Sequence, residues 1–87
     1  MTPAERFGRN LFMARRRVGL SQEQLARLAA LHRTQIGMLE HGQRTPKIDT
    51  LVKLKTVLEV SADDLLTGIE WIPPALVREG QFREDGR

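Results

Sequence analysis

A short run of the chain carries side chains suited to reading the edge of a base pair: Arg33, Thr34, Gln35 and Met38, with Gly37 among them. An arginine can pair bidentately with O6 and N7 of a guanine. A threonine offers a hydroxyl and a methyl, and a methionine can meet a thymine methyl. Each good bidentate pair discriminates by about 1–3 kcal/mol. Met38 reads equally as a packing residue, Gln35 reads better as a support, and Arg33 could be a solvated surface arginine. Gly37 brings no side chain, so it serves either close approach of the backbone or a gap in the readout. Beside this run, Ser21 and Gln22 open one helix and the cations Arg44 and Lys47 sit in a polar loop. Such groups suit phosphate oxygens, which position a protein without reading sequence.

Other chemistry finds no constellation. His32 and His41 are the only histidines, cysteine is absent, and no carboxylate set has metal-ligand spacing. Ser21 and Ser61 read as helix caps rather than nucleophiles. Gly37, Gly42 and Gly68 form no phosphate-loop pattern. Neither an enzyme nor a cofactor or metal is expected.

The run must be held by helices. From Ser21 to Gly42 the chain reads as two short helices and a tight turn. The first has Leu25, Leu28 and Ala29 at apolar positions with Ala26 beside them, and the second has Ile36 and Leu39 three apart. The second helix, over about 33–40, therefore has one buried edge and one free face. That is a helix-turn-helix at 21–41, whose second helix is built to enter a DNA major groove.

Around this pair, Thr2, Pro3 and Glu5 start a first helix by a capping box. It runs to about Val18 with Phe7, Leu11, Ala14 and Val18 on one stripe, and Gly19 stops it. Arg15, Arg16 and Arg17 complement its C-terminal end. Ser21 with Gln24 caps the second helix, which ends near Ala29 or Ala30, and Leu31 anchors the turn. After the loop closed by Pro46, Asp49 is expected to cap a fourth helix, with Leu51, Val52, Leu54, Leu58 and the Lys55 stem facing inward. Ser61 with Asp64 opens a fifth, holding Leu65 and Leu66 and ended by Gly68. The expected fold is all-α: five helices over 1–68, then a C-terminal tail over 69–87. Ile69–Ile72 and Gly80–Arg83 read as short extended segments, Ala75–Val77 as one turn, and residues 84–87 as frayed.

An 87-residue chain supports one small core, and at 5% aromatic it must build that core from aliphatic side chains, which suits packed helices. No apolar run approaches the roughly 20 residues that span a bilayer, and no secretory signal opens the sequence. The net charge of +3 is unevenly spread: residues 1–20 carry five arginines against one glutamate, while residues 61–87 carry three arginines against six acids. A polyanionic partner is therefore expected for residues 1–60, a solvated arginine-rich surface being the alternative.

Leu20-Ser21-Gln22, Leu25-Ala26, Ile36, Leu39-Glu40, Gly42, Pro46 and Val60-Ser61 with Asp63 and Leu65-Leu66 stand at the spacings of a known group. The chain resembles the Cro/C1-type, lambda-repressor-like (XRE) helix-turn-helix regulators over roughly residues 5–67. The resemblance implies a five-helix domain that acts on double-stranded DNA, as a homodimer on a near-palindromic operator. A bacterial or phage-type cytoplasmic, repressor-like regulator is expected, controlled through its concentration, dimerisation or a partner.

Position by position, the resemblance implies base contacts from Arg33, Thr34, Gly37 and Met38, with Gln35 at their edge. It implies phosphate contacts from Gln22, and from His41, Gln43, Arg44 and Lys47 after the recognition helix. It also implies a partly buried salt bridge between Arg15 and Glu40. Three residues depart from the pattern. Ala30 replaces the turn glycine, at a cost of about 1–2 kcal/mol if the turn stays left-handed. His32 replaces a Ser or Thr cap. Gly37 lowers helix propensity by about 1 kcal/mol relative to alanine.

The tail leaves a second reading open. Trp71, Ile72, Leu76, Val77 and Phe82 are too apolar for a free tail. They are expected to fold back on the last helices or join a homodimer interface. The alternative is an antitoxin-like or other interaction module that grips a partner protein through residues 69–82.

Overall fold

Three reciprocal capping boxes start three of the helices. Glu5 N–H donates to Thr2 Oγ1 at 3.1 Å while Thr2 N–H donates to the Glu5 carboxylate at 2.8 Å. Ser21 and Gln24 repeat the arrangement at 3.0 and 2.8 Å, and Ser61 and Asp64 at 3.0 Å in both directions. Each box satisfies amides that the first turn leaves without a helical partner. Two of the boxes also hold an acid below its ordinary pKa: Glu5 chiefly through the backbone N–H of Thr2, and Asp64 chiefly through that of Ser61.

The computed structural model describes residues 1–83; the segment 84–87, read from sequence as frayed, lies outside the described residues. Five helices follow in order: α1 Pro3–Arg17, α2 Gln22–Leu28, α3 Arg33–Glu40, α4 Ile48–Leu58 and α5 Ala62–Leu65. The core is aliphatic apart from Phe7, with Leu11, Leu25, Ile36, Leu54, Leu58 and Leu65 fully enclosed. Helices α1 and α2 both pack on α3, so the third helix is backed on two sides. Leu31, in the turn before it, packs against the same core.

Five expectations need correction. Val18 lies past the end of α1 as its cap, so it leaves the helical stripe and is exposed. Leu28 is exposed because the buried edge of α2 is Leu25, Ala26 and Ala29, and Leu28 falls on its other side. Val52 is likewise opposite Leu54 on α4, and Val57 packs inward instead. Leu66 caps α5 and turns outward. Asp49 does not cap α4: the helix begins at Ile48 after Lys47, whose carbonyl already accepts the Leu51 N–H at 2.9 Å. Asp49 sits in the first turn, where its charge still complements the macrodipole.

After α5 the chain forms a small antiparallel hairpin, β1 Trp71–Ile72 and β2 Gln81–Phe82, with Trp71 opposite Phe82 and Ile72 opposite Gln81. The turn expected around Ala75–Val77 is closed by the Pro73 carbonyl, which accepts the Leu76 N–H at 2.9 Å.

Candidate nucleic-acid interface

The recognition candidate α3 has two unlike faces. Ile36 and Leu39 are buried in the core, whereas Arg33, Thr34 and Gln35 are exposed and Gly37 and Met38 are half-buried. Helical spacing puts residues 33, 34, 37 and 38 side by side, away from 36 and 39. Gln35 has a local job: its side-chain oxygen accepts the His32 N–H at 2.9 Å, while the His32 side chain makes no cap hydrogen bond in return. A Cβ built on Gly37 meets nothing within 4 Å, so the face is open there.

The far end of α3 is tied to the rest of the domain at one carboxylate. Glu40 accepts from Arg15 through Nε at 2.6 Å and Nη2 at 3.0 Å, and from the Gln22 amide at 3.0 Å. The Arg15 and Glu40 side chains are 8% and 4% exposed. Arg15 donates its remaining arm to the Leu20 carbonyl at 2.9 Å, so α1, the link to α2, α2 and α3 meet at this pair. A charge-assisted, two-point contact of this kind fixes an orientation as well as a distance. Gln22, half-buried beside Ser21, thereby braces α3 from the start of α2.

Past Glu40 the backbone turns at Gly42, at φ +72°. The Gln43 N–H returns to the Met38 carbonyl at 2.9 Å and the Gly42 N–H to that of Leu39 at 3.2 Å. His41 Nδ1 lies 2.7 Å from the Gly37 carbonyl, which can only accept, so Nδ1 carries the proton. His41, Gln43, Arg44 and Lys47 are all exposed. They and the free face of α3 belong to one continuous stretch, 33–47, with Ser21 and Gln22 across a hollow that Arg33 also borders.

Two other sequence-derived features fall as follows. Ala30 keeps the left-handed turn at φ +54°, so the strain expected for a residue with a Cβ is present. Trp71, Ile72 and Phe82 are not among the residues packed against the helical core. The Trp71 and Phe82 rings meet edge to face with centroids 5.2 Å apart and stay about half exposed, while Ile72 is half-buried.

Sequence reasoning missed Gly8. Its Cα faces α3 so closely that a Cβ would lie 2.6 Å from the Glu40 carbonyl oxygen and closer still to that of Leu39. It missed Asn10 too, whose amide donates to the carbonyls of Leu65 and Thr67 at 2.9 Å each and so fixes α1 to the end of α5. No local pattern marks either residue, because their partners stand about thirty and fifty-five positions away. Among the described residues no group of three or more His, Cys, Asp or Glu could hold a metal, and no helix is long and apolar enough to cross a membrane.

Comparison with known proteins adds to this geometry. The helix-turn-helix family HTH_3 matches residues 11–65. Control protein C.SmaI of Serratia marcescens is 48% identical over 48 residues, covering 55% of this chain and 57% of that protein. The SPbeta prophage-derived uncharacterized HTH-type transcriptional regulator YonR of Bacillus subtilis is 39% identical over 62 residues, 71% of this chain and 57% of the relative. The chain thus spans little more than half the length of these curated relatives. The solved restriction-modification controller protein C.AhdI from Aeromonas hydrophila superposes with a TM-score of 0.69 at 39% identity. That match covers 71% of this chain and 94% of the controller.

Proposed function

The chain belongs to the helix-turn-helix family HTH_3, of the Cro/C1 (XRE) type, and from that premise we propose that it regulates transcription by binding DNA sequence-specifically. In this reading α3 enters the major groove. Arg33, Thr34 and Met38 meet base edges, and the backbone at Gly37 comes close to the duplex. Ser21, Gln22, His41, Gln43, Arg44 and Lys47 hold phosphates. The observation that carries the reading is the division of α3. One face is buried and locked through Glu40, while the other presents open, hydrogen-bonding side chains beside exposed cations.

A homodimer on a near-palindromic operator follows as the working form, its two copies of α3 about 34 Å apart to enter successive major grooves on one DNA face. Residues 1–68 would be the DNA-binding domain, with residues 69–87 as an appended segment that serves contacts between copies or with a partner. Similarity to the restriction-modification controller protein C.AhdI supports a restriction-modification setting for the regulated genes.

Selection of bound sequences from a random duplex library at near-physiological salt tests this, with the mass of the protein measured in parallel. The reading requires a two-fold-symmetric consensus with half-sites one helical turn apart, bound by a dimer. Enrichment of nothing beyond salt-sensitive background binding would refute it.

A further inference from the structure

The outer face of α1 is explained neither by the core nor by the helix-turn-helix. Arg9, Phe12 and Arg16 stand three and four residues apart and therefore share that face, and all three are exposed. Phe12 is unusual there, a ring 40% exposed on a domain with few aromatic residues. Two guanidinium groups flank it, that of Arg15 at 5.3 Å and that of Arg16 at 5.5 Å from the ring centroid. Arg15 is committed to Glu40 and Leu20. Arg9 and Arg16 are not so committed: among the described residues no carboxylate pairs with either.

Of the acids nearby, Glu40 is neutralised by Arg15, while Glu5, next along the same face, turns its carboxylate to the Thr2 N–H and keeps its charge. Arg9 and Phe12 border the same hollow as His41, together with Glu5 and Glu40, so the strip adjoins the C-terminal end of α3. A ring held against the face of an arginine restrains the side chain while leaving its N–H fork for an acceptor.

We propose that Arg9, Phe12 and Arg16 form a second, sequence-independent grip on the sugar–phosphate backbone of duplex DNA, beside the part read by α3. The proposal rests on the DNA-binding reading above. The partner is identified by charge: two guanidinium groups with no carboxylate partner, on one face of a helix, call for phosphate oxygens. Phe12 holds Arg16 ready rather than touching bases.

The test is the salt dependence of binding to the selected operator and to random duplex, for the wild type, for Arg9→Gln with Arg16→Gln, and for Phe12→Leu. Melting curves confirm that each variant is folded. Every phosphate that a variant no longer neutralises should lower the slope of log affinity against log salt by about 0.9. The double variant should therefore lose nearly two units of slope and bind operator and random DNA more weakly by the same factor, with its consensus unchanged. Phe12→Leu should weaken both several-fold while keeping most of the slope. A double variant with wild-type slope and affinity, or one that changes the consensus, overturns the proposal while the helix-turn-helix reading stands. A wild type that binds no duplex overturns that reading, and the strip with it.

Discussion

The Arg15 guanidinium and the Glu40 carboxylate face each other at two points, 2.6 and 3.0 Å apart, in a site almost closed to water. Desolvation offsets most of the attraction in such a pair, so its net contribution to stability is small although losing one partner is costly. Arg15→Ala should destabilise the fold by about 3–5 kcal/mol, read by urea denaturation. Replacing both, as Arg15→Met with Glu40→Leu, should recover most of that loss. Operator binding should still fall, since Gln22 then loses its hold on α3.

Gly8 and Gly37 put the same substitution to opposite uses. In a helix interior, alanine is ordinarily better than glycine by about 1 kcal/mol. At Gly8 the added methyl would drive into the Leu39 and Glu40 carbonyls. Gly8→Ala should therefore destabilise by about 1–3 kcal/mol and shift α3, lowering both the melting temperature and DNA affinity.

At Gly37 the methyl enters open space. Gly37→Ala should raise stability by about 0.5–1 kcal/mol. If the backbone there approaches the duplex, the same variant should bind operator more weakly despite melting higher. Unchanged binding would show Gly37 to be only a gap in the readout.

Acid should weaken the fold through the capping boxes. Glu5 and Asp64 are held below their ordinary pKa by backbone N–H donors at Thr2 and Ser61. A lowered folded-state pKa means that the unfolded chain binds the proton more readily. The stabilisation is then complete above the ordinary carboxylate range and is lost as pH falls through the lower, folded value. Melting temperatures of Glu5→Gln and Asp64→Asn should lie below the wild type at neutral pH and converge on it in acid. Parallel curves would contradict the assignment.

What could be read from sequence was what depends on neighbours in the chain. Thr2 with Glu5, Ser21 with Gln24 and Ser61 with Asp64 each complete a box within four residues, so three helix starts were legible. The bounds of α3 were legible from Ile36, Leu39 and Gly42. Exposure was harder wherever an apolar residue stood at a helix end or a second face, as with Val18, Leu28, Val52 and Leu66. A left-handed residue at Glu59 ends α4 without the glycine that usually signals one. Within the candidate interface, the side chains of α3 could be named from local spacing. The close approach of Gly8 that sets the position of α3 could not, because it depends on how two distant backbones cross.

The central claim is that α3 reads bases while the loop after it only holds phosphates. Binding of Arg33→Ala, Arg44→Ala and Lys47→Ala to the selected operator and to random duplex, across a range of salt, tests it most directly. Arg33→Ala should lose about 1–3 kcal/mol on operator, little on random DNA, and relax preference at one base in each half-site. Arg44→Ala and Lys47→Ala should weaken both DNAs alike and each lower the salt slope by about one unit. Equal losses for Arg33→Ala on operator and random DNA would contradict the claim.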